Sequence, residues 1–135
     1  MLHRVLKIGR WVVDFIFATE GYDEEEILDM LYKIDAPIYV MQRARRIMES
    51  GYYNRGFTFP NPELHRAVVV VGPTTSGRQF INTFSHEINH LSSEIADYYG
   101  VRQDKEAPAY ITGDTTMMLA EVICHLGCDK CRDME

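Results

Sequence analysis

Residues 67–91 read AVVVVGPTTSGRQFINTFSHEINHL, and a strand signal gives way to a helix signal within them. Ala67 to Val71 is a continuous apolar, mostly β-branched run, which predicts a buried strand ended by Gly72-Pro73. Ser76 followed three residues later by Gln79 is the capping-box pattern, so a helix should start at about Gly77 and stop at Gly100. At roughly 100° per residue, Phe80, Ile81, Phe84, Ile88, Leu91 and Ile95 gather on one side of that helix, nearly opposite His86.

Upstream, Val5 to Thr19 is rich in β-branched and aromatic residues and predicts one strand or two short ones. The acidic lead-in Tyr22-Asp23-Glu24-Glu25-Glu26 precedes Ile27, Leu28, Leu31 and Ile34, the pattern of a helix of about three turns whose first turn complements the dipole. A second helix follows Pro37, from Ile38 to Met48, with Arg43, Arg45 and Arg46 as a solvated face and Ser50-Gly51 as its stop. Residues 51–65, with two glycines, two prolines and two asparagines, predict an irregular loop with extended pieces. Its polar members Asn54, Arg55, Thr58 and Asn61 are candidates for lining a groove. Past Gly100, Asp104 can cap a last helix reaching about His125, with Pro108 tolerated in its first turn.

The 135 residues, 46% of them hydrophobic, suffice for one core. The expected fold is a single α+β domain over 1–135: a small sheet with the Val68 strand near its edge, a central helix, further helices on one side, and residues 124–135 as a flexible or weakly ordered tail. A net charge of −6 disfavours a nucleic-acid partner. Residues 1–19 interleave Arg4, Lys7, Arg10 and Asp14 with their apolar residues, so neither a membrane span nor a signal core is expected, and the default address is cytoplasmic. The oligomeric state is not legible.

Ser85-His86-Glu87-Ile88-Asn89-His90 contains H-E-x-x-H on the polar face of the proposed helix. Imidazoles four residues apart project from adjacent turns and can share one tetrahedral ion, with Glu87 beside the metal rather than on it. There it can accept a proton from water activated by the ion, the arrangement of a metal-dependent hydrolase. A third ligand is needed. Among Glu94, Asp97, Glu106 and His125, the first two continue the same rigid helix and converge poorly, whereas a helix-turn-helix return across Gly100 favours Glu106. Tyr110, one turn further on, is placed to orient a ligand or stabilise an oxyanion, and Gly113 to let the two helices approach.

These residues resemble the zincin metallopeptidases, and specifically the glutamate-liganded branch, in which H-E-x-x-H is followed by a glutamate on the next helix. The resemblance spans about residues 67–115 through AVVVVG, QFINTFSHEINHL and EAPAYITGD. The whole chain also resembles small zincin-like proteins of prophages and mobile elements of gut bacteria, which share the E-x-x-A-Y order. It implies a minimal zincin-like fold, Zn²⁺ held by His86, His90 and Glu106, Glu87 as catalytic base, and a peptide or protein substrate. The chain departs from the larger enzymes in carrying Tyr110 where they often place a ligand-orienting Asp, and in having no second domain to wall a cleft.

The expected activity is therefore that of a zinc metallopeptidase. Two alternatives stand beside it: a non-catalytic binding or regulatory module of a mobile element, and a metal-dependent amidase acting on a small molecule or cell-wall peptide. Cys124, Cys128 and Cys131 with His125 form a terminal cluster that could hold a second, structural metal or could be thiols of a loose tail.

Overall fold

A computed structural model of the chain describes residues 1–101 and 104–133. Its sheet is mixed and four-stranded. Leu2–Ile8 (β1) and Trp11–Phe17 (β2) form an antiparallel hairpin that pairs Ile8 with Trp11, so the N-terminal apolar stretch is two strands and starts before Val5. Gly9 makes the turn at φ +60°, a conformation that costs glycine little.

Glu24–Lys33 (α1) is capped by Asp23, whose carboxylate accepts from the Glu26 N–H. Ile38–Glu49 (α2) follows, then the strands Gly56–Asn61 (β3) and Arg66–Val71 (β4). The long helix Gly77–Tyr98 (α3) begins as expected, with Ser76 accepting from the Gln79 N–H. Asp104 accepts from the Glu106 N–H at 3.0 Å, but the last predicted helix is broken at Leu119 into Glu106–Met118 (α4) and Ala120–Leu126 (α5), followed by Asp129–Arg132 (α6).

The strand order is β1-β2-β4-β3, with β2 and β4 parallel and both outer pairs antiparallel. The Val68 strand thus lies one strand in from the edge. The edge itself is β3, drawn from the segment read as an irregular loop. Gly56 and Pro60 disguise it, yet an edge strand can lack one N–H donor without breaking an inner ladder.

Helices cover both faces rather than one. Val13, Phe15, Phe17, Ala67, Val69 and Val71 pack on Phe80, Phe84, Ile88, Leu91 and Ile95 of α3 and on α5. Ile16, Val68 and Val70 pack on Ile27 and Leu31 of α1 and on Ala44 and Met48 of α2. A strand apolar at every position exposes oil on both sides unless each is covered, which is why β4 requires two helical layers.

Residues 124–133, expected as a loose tail, are docked; residues 134 and 135 of that segment lie outside the described residues. Asp129 accepts from the Gly77 N–H at 2.7 Å, and the Arg132 guanidinium donates to the Thr74 carbonyl at 2.6 Å and to the Leu126 carbonyl at 3.2 Å. Asp129 thereby satisfies an N–H at the start of α3 that has no partner within the helix. Among the described residues, no helix is long and apolar enough to cross a membrane.

Candidate metal centre and its cleft

Helical phase puts His86 and His90 on the exposed side of α3 while Phe84, Ile88 and Leu91 enter the core. The two Nε2 atoms stand 3.2 Å apart, with the rings edge to face at 79°. Two nitrogens each about 2.0–2.1 Å from one tetrahedral ion stand about 3.3 Å apart. The pair therefore matches one edge of a zinc tetrahedron, and neutral imidazoles are ordinary donors to that ion.

Glu87 is only 4% exposed. It turns under the sheet edge, where the Thr58 hydroxyl of β3 donates to its Oε1 at 2.8 Å. Gly56 makes room for it: a Cβ there would stand 3.0 Å from Glu87 Cγ and 2.5 Å from the Val70 carbonyl oxygen. Thr58 is among the polar groove candidates of the sequence, but its bond to Glu87 depends on a strand that Gly56 and Pro60 locally disguise as a loop.

The surroundings form a cleft. A cavity of about 280 Å³ is bordered by Tyr39, Val40 and Arg43 of α2, by β3 from Gly56 to Pro60, and by His86, Glu87, His90 and Glu94 of α3. Beside it a second, of about 340 Å³, is bordered by Arg43, Asn54, Arg55, Gly56, Asn82, Thr83, His86 and Glu87. The edge strand is the floor and the two helices are the walls, so α2 supplies the wall that the sequence reading lacked. Arg43, read as part of a solvated face with Arg45 and Arg46, borders both cavities. Of the other groove candidates, Asn54 and Arg55 line the second cavity, while Asn61 donates to the Ile34 carbonyl at 2.9 Å and holds α1 to the sheet.

Helix α4 returns along α3. Ser92 and Thr112 share a hydrogen bond of 2.7 Å, and Gly77 sits against Gly127, where a Cβ would meet the Gly127 oxygen. That antiparallel register sets Glu106 level with Tyr98, eight residues past His90, or about 12 Å along the axis. Ser92 itself lies about 200° around α3 from His90, so α4 packs on the side of α3 away from the histidine pair, and Tyr110, level with Glu94, lies on that far side too. Tyr110 is 67% exposed and borders neither cavity. Among the described residues, no three His, Cys, Asp or Glu side chains gather as a metal-ligand set. The structure thus brings together His86, His90 and Glu87, with Glu94 on the cavity wall, and does not bring Glu106 to them. Gly113 marks no close approach, since a Cβ there would meet nothing within 4 Å.

Cys124, Cys128 and Cys131 are free thiols, and among the described residues they form no metal-ligand set with His125. Hydrogen bonds from the backbone and thiol of Cys131 hold the Cys128 thiol below its ordinary pKa. The Cys131 thiol is raised, chiefly because its proton is engaged by Cys128.

No protein-family model, no curated protein and no solved structure matches the chain.

Proposed function

We propose that the chain is a zinc-dependent hydrolase of minimal zincin-like architecture that cleaves a peptide or amide bond. One observation carries this reading: the histidine pair at tetrahedral spacing, the buried carboxylate of Glu87 and the free edge of β3 all border one cleft. His86 and His90 would hold the ion. Bound zinc would polarise a substrate carbonyl and lower the pKa of water.

The chain's own residues then have separable tasks. Glu87, fixed by Thr58, takes the proton of the attacking water and delivers it to the leaving nitrogen. The unpaired edge of β3 offers N–H and C=O groups to an extended peptide, so substrate binds as an added strand between α2 and α3. Glu106 remains the third ligand favoured by the sequence, and reaching the pair requires α4 to move around α3 as well as along it. Glu94, on the cavity wall, is the carboxylate to compare with it.

The test is cleavage of a mixed peptide library by zinc-loaded wild type and by Glu87→Gln. The reading expects cleavage that the variant lacks while keeping its metal; equal turnover by both contradicts it. A second reading, a non-catalytic module that binds a peptide in the same cleft, is favoured by the lack of a third gathered ligand among the described residues. It predicts peptide binding without turnover by either protein.

A further inference from the structure

The cleft is not symmetric about the histidine pair. Its lining advances in step along strand and helix: Asn54, Arg55 and Gly56 with Asn82 to Glu87, then Gly56 to Pro60 with His86 to Glu94. Hence β3 and α3 run in the same direction, and each end of the cleft has its own chemistry. At the His90 end the lining is mostly aromatic and apolar, with Phe57, Phe59, Pro60 and Tyr39, and Glu94 joins Glu87 there as a second carboxylate. Arg43 stands between the two ends and borders both cavities, and the opposite end alone carries Arg55.

Arg43 reaches that end from α2 and Arg55 from the residue before β3. No ion pair among the described residues engages either guanidinium. Arg55 is positioned over the Tyr52 ring at 5.1 Å, and its carbonyl accepts from the Gly72 N–H at 2.7 Å, which fixes its backbone. The one carboxylate on this lining, Glu87, already accepts the Thr58 hydroxyl. A second, independent feature points the same way. Thr83 borders this cavity, is 5% exposed, and its buried Oγ1 has no hydrogen-bond partner. A threonine hydroxyl within a helix can bond back to the carbonyl four residues earlier, and an unmade bond at a buried hydroxyl is costly. Asn82 adds an exposed amide beside it.

We infer that this end of the cleft is a carboxylate-binding subsite, with Arg43 and Arg55 as its cations and the Thr83 hydroxyl as a donor, which selects substrates bearing an acidic group next to the bond at the histidine pair. The inference rests on the proposed seating of a peptide along β3. A peptide added antiparallel to β3 directs its C-terminal side over the arginines, so the carboxylate comes from a free C-terminus or from an acidic side chain on that side. Arginine suits either, because its planar fork pairs two N–H groups with two carboxylate oxygens. In a chain of net charge −6 such a cationic end must act locally, against a general field that repels acidic peptides.

The test is binding, read by amide NMR shifts at Gly56, Asn82 and Thr83 with full-length Glu87→Gln protein. Four N-acetylated tetra-alanine probes are titrated: free acid, C-terminal amide, and amides carrying Asp or Asn at the last position. The free acid or the Asp amide should bind at least about tenfold more tightly than its neutral counterpart, the scale of one charge-assisted hydrogen bond, and which of the two does so identifies the source of the carboxylate. Arg43→Gln with Arg55→Gln should erase the preference while circular dichroism and metal content stay unchanged. Equal binding of charged and neutral probes, no binding of any probe, or a preference that survives both substitutions overturns the inference. A carboxylate preference in a protein that cleaves no peptide would reject the hydrolase reading and keep the subsite; cleavage without preference would do the reverse.

Discussion

The Thr58 hydroxyl lies 2.8 Å from Oε1 of Glu87 and ties the edge strand to the helix that carries the histidine pair. One polar contact thus fixes the proposed base and aligns the cleft floor with it. Thr58→Val removes the donor at nearly constant volume. Peptide turnover should fall about tenfold or more, because a hydrogen bond to a charged group contributes about 1.5–3 kcal/mol. Zinc content should not change. Unaltered turnover would show that Glu87 is held by other means.

Gly56 is the spatial counterpart of that bond. Gly56→Ala places a methyl 2.5 Å from the Val70 carbonyl oxygen and 3.0 Å from Glu87 Cγ, so β3 must shift outward. Overpacking of this kind costs about 1–3 kcal/mol, and the melting temperature should fall together with turnover. A variant as stable and active as wild type would contradict the packing of Glu87 beneath β3.

The start of α3 depends on the C-terminal segment. Gly77→Ala would set a Cβ 2.4 Å from the Gly127 oxygen, and Asp129→Ala removes the acceptor at the Gly77 N–H. The first should destabilise by about 1–3 kcal/mol and the second by about 0.5–2 kcal/mol, measured by urea unfolding. Iodoacetamide at mildly alkaline pH should label Cys128 before Cys131 by mass spectrometry, since hydrogen bonds from Cys131 lower the first thiol and raise the second. The reverse order would mean that the two thiols are not paired in this way.

Tyr22 provides a pH signature. Burial raises its phenol above the usual value despite the opposing charge of Arg55, and its hydroxyl is buried without a partner. The folded state therefore holds this proton more tightly than the unfolded chain. Its contribution to stability is full below the ordinary tyrosine range, near pH 10, and is lost as pH rises through the raised folded value. Tyr22→Phe should be neutral or slightly stabilising at pH 7 and should flatten the alkaline decline in melting temperature. An unchanged alkaline decline would assign it to other groups.

Much of this fold could be read from local chemistry. The Ser76 cap, the acidic turn before Ile27 and the valine run of β4 each declare their element within a few residues. What stayed hidden depends on distant partners. Strand β3 is defined by pairing Thr58 with Val69 and Phe59 with Val68, and its glycine and proline locally suggest a loop. The second helical layer follows from the sidedness of β4, which a run without alternation does not reveal. In the site, helical spacing gave the histidine pair and Glu87, but Arg43 joined them only because α2 packs across the sheet edge. Position along a sequence cannot set the register of α4 on α3, which Ser92 and Thr112 fix, and so the placement of Glu106 was the least legible element.

Metal content decides the central claim most directly. Elemental analysis of protein purified without added metal, then of protein supplied with zinc, should give about one zinc per chain in wild type and none in His86→Ala or His90→Ala. Glu106→Ala and Glu94→Ala should show which carboxylate completes the proposed site, and Tyr110→Phe should keep the metal and report on the hydroxyl through turnover alone. A wild-type protein that takes up no zinc, or a zinc that survives loss of both histidines, would contradict the account.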